Sequence, residues 1–308
     1  MTGRVVVTGG SGKAGRAVVS DLVEHGYDVL NVDLVPSSRG DAPFTRAELT
    51  DFGETVEILR GAKAVVHLAA IPAPTIRTVE RTFEINILST YNVFSAAALV
   101  GLERVVWASS ETVLGLPFGS TGARGLLDAQ AEPGHQAQPD YLPIDEAHPL
   151  RPHSSYSLSK VLGERMAEEF ARWSGIPFIA LRFSAIREPA EYDAFPNDWK
   201  EPQRAAWNAW AYVDARDVGQ ACRLALTADI TGAEAFIIAA ADTVMDRPNA
   251  DLVGAVYPSV PLRPGTGEHD SLLSIDKARR LLGYQPQYSW RTILGVPEAA
   301  GARSSEVG

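Results

Sequence analysis

Val5-Val6-Val7-Thr8-Gly9-Gly10-Ser11-Gly12-Lys13-Ala14-Gly15 decides how this chain is read. Three β-branched residues in a row describe a short, fully buried strand. The apolar positions Ala17, Val18, Leu22 and Val23 then mark a helix that stops near Gly26. A second strand runs from Asp28 to Val32 and ends in Asp33. Gly9, Gly12 and Gly15 permit a tight turn, a close approach of backbone to a pyrophosphate, and close packing of helix on strand. The helix start offers unpaired N–H groups and the positive end of its dipole to phosphates. With Ser11, Lys13 and Ala14 between the glycines, this loop is expected to hold a dinucleotide. Asp33, at the tip of the second strand, is placed to accept hydrogen bonds from a ribose and to repel a 2′-phosphate, which favours NAD over NADP.

Outward from that loop the chain keeps alternating. Helical periodicity covers Asp51 to Arg60, a strand covers Ala64 to Leu68, and a long helix runs from about Val79 to Leu99. Arg104 to Ala108, Ile176 to Phe183 and Ala235 to Ala240 read as strands, and the helix through Leu162, Met166 and Phe170 reaches Gly175. Strands alternating with helices predict an α/β fold, a doubly wound parallel sheet covered on both faces. Residues 1–185, with 212–243 returning to them, are expected to form the dinucleotide-binding domain. Residues 186–211 and 244–308 are expected to form a smaller substrate-binding lobe.

Tyr156 and Lys160 lie four apart on a predicted helix, so phenol and ammonium share a face. A tyrosine of ordinary pKa, about 10, is a poor base near neutrality. A nearby ammonium favours the phenolate, and a positively charged nicotinamide ring favours it further. Such a phenolate takes the proton of a secondary alcohol while hydride leaves its carbon.

Composition narrows the class. A chain of 308 residues, 45% hydrophobic, buries a large core. A net charge of −10 argues against nucleic acid as a partner. One cysteine, Cys222, forbids an internal disulfide and fits a reducing, cytoplasmic setting. No apolar stretch is expected to reach the ~20 residues of a membrane span, and Met1 to Arg4 show no leader. The six histidines lack ligand spacing, so no metal site is expected. His67, in an apolar run, reads as a hydrogen-bonded core histidine.

Several motifs in this order resemble those of the extended short-chain dehydrogenase/reductase family, best known for NAD-dependent sugar epimerases and dehydratases. The family's Thr-Gly-x-x-Gly-x-x-Gly loop is Thr8 to Gly15. Glu48-Leu49 looks like the pair that holds the adenine edge, and Leu68-Ala69-Ala70 like the segment beneath the cofactor. Asn86 matches a helix asparagine that supports the site. Ser109-Ser110-Glu111-Thr112 matches the strand end carrying the catalytic hydroxyl, here Ser110, and Pro152 to Tyr156 is the usual lead-in to the catalytic tyrosine. The resemblance implies a Rossmann sheet, NAD as cofactor, a substrate oxygen held by Ser110, a proton taken by Tyr156, and Lys160 on the nicotinamide ribose. It also implies a homodimer through the helices after Val79 and around Tyr156. Read alone, Ser110 is equally a turn cap.

Glu111, Arg182, Ser184, Trp210 and Arg263 are the expected substrate contacts. The aromatic run Tyr192, Phe195, Trp199, Trp207 and Trp210 suits either a sugar face or the packing of a lobe, and Leu116 to His153 reads as a lid. Trp210 stands where nucleotide-sugar epimerases of the family carry a diphosphate-binding arginine. That departure favours a sugar or sugar acid, as in the uronate dehydrogenases. Glu111-Thr112 replaces the paired carboxyls of the dehydratases and disfavours dehydration. The remaining readings are a nucleotide-sugar 4-epimerase like UDP-glucose 4-epimerase, and a non-catalytic dinucleotide sensor.

Overall fold

A computed structural model describes residues 3–116 and 138–296. The central sheet has seven strands, all parallel: β1 (Arg4–Thr8), β2 (Asp28–Asp33), β3 (Phe44–Arg46), β4 (Ala64–His67), β5 (Arg104–Ser110), β6 (Phe178–Phe183) and β9 (Ala233–Ile238). Their order is β3-β2-β1-β4-β5-β6-β9. The chain turns outward from β1 in both directions, so β1 and β4 flank a crevice at the carboxyl ends of the strands, where ligands of such sheets bind.

Alternation along each strand fills two cores. Val5 and Val7 of β1 and Val66 of β4 join Val18 and Leu22 of helix α1 (Lys13–Glu24) on one face. Val6, Val65, Val105 and Trp107 point to the other face, beneath α2 (Phe52–Leu59), α3 (Val79–Val100) and α4 (Ser155–Ser174). Each fully buried aliphatic side chain here contributes about 1.5–3 kcal/mol relative to exposure. Helix α6 (Ala215–Thr227) packs beside α1 and completes the first layer. In α4 a Cβ on Gly163 would lie 2.8 Å from the Trp107 indole, so this helix sits close to the sheet because that position carries no side chain.

Helix starts follow the sequence. Asp51, Thr78 and Ser154 cap α2, α3 and α4 through their side-chain oxygens. Strand β3 was not expected: three exposed residues on an edge are too short for alternation to register. Helix α3 corrects the expectation about apolar length, because its 22 residues have the length and composition to cross a membrane. Its buried side chains include polar ones: Asn86 pairs with the backbone of Ile71, Asn92 donates to the Leu49 carbonyl, and Thr90 meets His67 of β4.

The remaining elements lie mostly within the residues expected to form the smaller lobe. β7 (Ile186–Arg187) pairs with β8 (Val213–Asp214); α5 (Pro196–Trp199), α7 (Asn249–Val256) and α9 (Trp290–Ile293) pack on the short turns between them, and α8 (Asp276–Leu282) packs on α6 and β9. Tyr192, Phe195, Tyr212 and Trp290 pack edge-on or tilted among them. Most of the expected lid lies outside the described residues. Its described end, 138–153, adds isolated bridges from Leu142 to Leu262 and from Ile144 to Leu273.

Candidate active site

A cavity of about 880 Å³ runs along the carboxyl ends of β2, β1, β4, β5 and β6. At one end stands the glycine-rich turn. Gly9 has φ +71°, and a Cβ there would meet the Ala69 nitrogen at 2.6 Å. A Cβ on Gly15 would meet the Gly9 carbonyl oxygen at 2.1 Å. These contacts keep Gly9, Ser11, Gly12, Lys13, Ala14 and Gly15 folded close against the strands, all on the cavity wall. Gly12 is the N-cap of α1, without a side-chain cap and without an acid in the first turn. The first N–H groups of the helix therefore keep both their hydrogen-bonding capacity and their positive potential for a phosphate.

Asp33 is tied to this loop. Its Oδ2 accepts from the Ser11 N–H at 3.1 Å and its Oδ1 from the Leu34 N–H at 2.7 Å. Ala47, Glu48 and Leu49 continue the wall past Asp33, and Leu68, Ala69 and Ala70 form it after β4. Asn86 does not itself face the cavity. Its side-chain oxygen accepts from the Ile71 N–H at 2.7 Å and its amide donates to the Ile71 carbonyl at 3.1 Å, pinning the segment that does. The loop, the acid and this wall fit a dinucleotide: a tight cradle for phosphates next to a carboxylate for a ribose.

At the other end β5 and α4 bring Ser110, Tyr156 and Lys160 together. Ser110 accepts from the Thr112 N–H at 3.2 Å, capping the turn Glu111–Leu114, and also hydrogen-bonds Tyr156. Cap and site contact are thus the same hydroxyl. Burial pushes the Tyr156 phenol up to about 12, Ser110 opposes that, and Glu111 adds to it. Lys160 donates from Nζ to the Ala108 carbonyl at 2.8 Å, with Nζ 5.6 Å from the centre of the Tyr156 ring. Burial lowers its ammonium to about 8. Behind it, His67 hydrogen-bonds Thr8 at 2.8 Å and Thr90 at 3.3 Å, and burial followed by the Lys160 charge brings it down to about 3. A neutral, packed histidine results, with no role at the reacting atoms. Ser109 faces the cavity and donates to Glu164 at 2.6 Å.

Three expected substrate contacts need correction. Arg182 is buried in a two-pronged ion pair with Glu164, at 2.9 and 2.8 Å, beneath the site rather than on its wall. Trp210 is fully buried; its indole donates to the Pro202 carbonyl at 2.8 Å and packs on Tyr257, so its ring serves the lobe core. Arg263 lies over the Tyr141 ring and pairs with Asp145 at 2.6 Å, again off the cavity wall. Glu111 and Ser184 do line the cavity. Of the aromatic run, Trp207 faces it, while Tyr192, Phe195 and Trp210 are core.

The lobe supplies residues the sequence did not single out. Arg187 lines the cavity, its position set by the β7–β8 pairing that no periodicity reveals. Asn208 donates to Glu111 at 3.3 Å. Lys13 donates to Glu191 at 2.7 Å and to the Ile186 carbonyl at 3.3 Å, and Arg16 pairs with Glu188 at 3.0 Å. Ion pairs thus join the glycine-rich loop and the start of α1 to the turn Pro189–Ala194 and the residue before it.

Known proteins place this architecture. A Methanocaldococcus jannaschii protein named putative UDP-glucose 4-epimerase is 30% identical over 59% of this chain, an alignment that spans only 55% of its own length. An L-arabinose 1-dehydrogenase (NAD(P)(+)) of Haloferax volcanii is 26% identical over 94% of this chain and 99% of itself. The fold is shared with an Agrobacterium tumefaciens short-chain dehydrogenase/reductase superfamily protein crystallised with NAD (TM-score 0.70, 24% identity, 95% of each chain). A mutated uronate dehydrogenase also shares it (TM-score 0.65, 21% identity, 96% of this chain and 85% of that one). The model of the NAD dependent epimerase/dehydratase family matches residues 5–198. The chain is a member of that family, an enzyme with NAD as its cofactor.

Proposed function

We propose that this protein is an NAD-dependent oxidoreductase acting on a secondary alcohol or hemiacetal carbon of a sugar or sugar acid. The observation that carries the reading is the meeting of Ser110, Tyr156 and Lys160 at one end of a cavity whose other end is the glycine cradle. Residues 1–185 and 212–243 hold the cofactor in this reading, and 186–211 with 244–308 hold the substrate. The protein works as a cytoplasmic homodimer, through the outer faces of α3 and α4.

Ser110 holds the substrate oxygen by a hydrogen bond, and Tyr156 removes its proton. Lys160, one turn along α4, supplies positive charge near the phenol and donors for ribose hydroxyls. NAD supplies the hydride acceptor when bound. In the protein alone burial holds the phenol at about 12, too high for a base at neutrality. A positive charge arriving beside it favours the phenolate, so Tyr156 becomes a base only when oxidised cofactor is in place.

The second reading, a nucleotide-sugar 4-epimerase using the same residues, is favoured by the name of the Methanocaldococcus relative. Against it, Trp210 is apolar and buried, Arg263 is paired with Asp145 off the cavity wall, and Arg187 is the one arginine on the wall among the described residues. A non-catalytic sensor has no use for a retained Tyr–Lys pair. Turnover separates the three. Free NADH appearing with an aldose or uronate supports the dehydrogenase. Conversion of UDP-galactose without net NADH supports the epimerase, and NAD binding without turnover on a broad panel supports the sensor.

A further inference from the structure

Three successive residues at the end of β5 are each tied to a different turn of α4. The Ala108 carbonyl accepts from Lys160 Nζ at 2.8 Å, Ser109 Oγ donates to Glu164 Oε1 at 2.6 Å, and Ser110 hydrogen-bonds Tyr156. Tyr156, Lys160 and Glu164 stand four apart and form one stripe along the helix. Glu164 has a further partner. Arg182, opposite Ser109 in the pairing of β5 with β6, donates to it from Nε and Nη2 at 2.9 and 2.8 Å. Both side chains are buried, Arg182 at 6% exposure and Glu164 at 9%. A buried ion pair contributes little stability that apolar side chains of the same volume would not. Arg182 also leaves Nη1 buried without a partner among the described residues. Stability does not account for the pair. Nor does the closeness of α4 to the sheet, which Gly163 against Trp107 already sets. Apolar packing has no direction of its own, whereas hydrogen bonds weaken steeply when misaligned. The polar ties therefore set where the helix lies along its own axis.

We infer that Glu164 is a positioning residue for the reaction: by gripping Ser109 and Arg182 together it fixes α4 along β5, and so holds the Tyr156 phenol on Ser110 and Lys160 on the Ala108 carbonyl. The inference rests on Tyr156 as the base, which the dehydrogenase and epimerase readings share, and names what keeps that base in place. Glu164 is not on the cavity wall; it acts through Ser109, which is. The Ser110 hydrogen bond opposes the rise that burial imposes on the phenol. A helix free to slide loses that bond, and the phenolate becomes harder to form. Around the phenol the other charged or titratable groups are Lys160 on α4, Glu111 in the turn after β5, and His67 of β4 behind Lys160. Near Arg182 there is a second carboxyl, Glu146, which accepts from the Ile237 N–H at 2.8 Å.

The experiment follows ionisation of Tyr156 with NAD bound, as the ultraviolet tyrosinate difference between each protein and its Tyr156→Phe counterpart, and so needs no substrate. Two changes are compared with wild type in the full chain. Glu164→Leu with Arg182→Leu removes both charges together and strands neither. Ser109→Ala leaves the ion pair whole and cuts only its link to β5. Each is expected to raise the pKa of the phenol by about one unit, a tenfold loss of phenolate near neutrality. On any sugar that wild type oxidises, kcat should fall by about tenfold. In the pair variant KM and NAD affinity should change by less than about threefold, since the lost interaction serves the reacting state. Adding Ser109→Ala to the pair variant should cost no more than about twofold further, because the tie is already broken. A pair that merely packs would lower the melting temperature and leave ionisation and kcat in place. That result, or losses that add in full, overturns the inference. Should the pair variant not fold, Ser109→Ala decides alone. A phenol that does not ionise below about pH 10 in wild type removes the base, and the inference with it. A wild type that oxidises no sugar overturns the dehydrogenase reading, while the titration still decides this one.

Discussion

Tyr156 and Lys160 are both buried, and burial moves each toward its neutral form. Tyr156→Phe keeps the packing of α4 but removes the proton acceptor. Turnover should fall by about 10²–10⁴-fold, with NAD affinity changed little; calorimetric titration and initial rates check both. Lys160→Met tests the coupling. Loss of an ammonium near the phenolate makes the phenolate less stable, so the pKa governing oxidation should rise. The acid limb of kcat against pH, measured with NAD bound, is expected to move to higher pH. A limb that stays in place would mean that Lys160 does not act on the base. At this scale the sequence showed residue types and a spacing of four. It did not show that burial raises the tyrosine to about 12 before any cofactor arrives, because desolvation is a property of the surroundings.

Among the elements, α1 links both halves of the cavity. Its first turn carries Lys13 and Arg16, paired with Glu191 and Glu188 of the turn after β7. Lys13→Ala removes a positive charge from the phosphate loop and one of the two ties to that turn. NAD should bind roughly tenfold more weakly, with a salt dependence shallower than wild type, since the lost term is screened coulombic attraction; fluorescence titration at two ionic strengths measures it. Long, periodic elements were legible from sequence; their exact starts, with Thr78 and Ser154 capping α3 and α4, are seen only in the structure. Short ones were not. β3, β7 and β8 hold three, two and two residues, and pairing across the chain rather than local pattern creates them. Arg187 and Trp207 reach the cavity through those short elements and the turns near them, which is why the sequence pointed to their neighbours Arg182 and Trp210 instead.

For the whole molecule, α3 and α4 pack side by side and leave Leu88, Tyr91, Leu162 and Trp173 exposed at 38%, 48%, 38% and 63%. The proposed second copy would cover this face, where apolar side chains of this size stabilise by about 1.5–3 kcal/mol each when buried. Leu88→Glu with Leu162→Glu should convert a dimer to a monomer by light scattering, without unfolding either copy. A mass of one chain for the wild type would remove the dimer from the proposal. The residue pattern alone determined the parallel sheet, the glycine cradle, the acid at the end of β2 and the Tyr156–Lys160 pair, to which the family resemblance added Ser110. Each is written in local sequence, as a periodicity, a missing Cβ or a fixed helical spacing. Which side chains complete the substrate end was decided by tertiary structure, for it depends on burial and on partners distant in sequence. Glu164 draws Arg182 beneath the site, Pro202 and Tyr257 take Trp210 into the core beside Tyr257, and Asn208 ties Glu111 to the segment Ala206–Asn208.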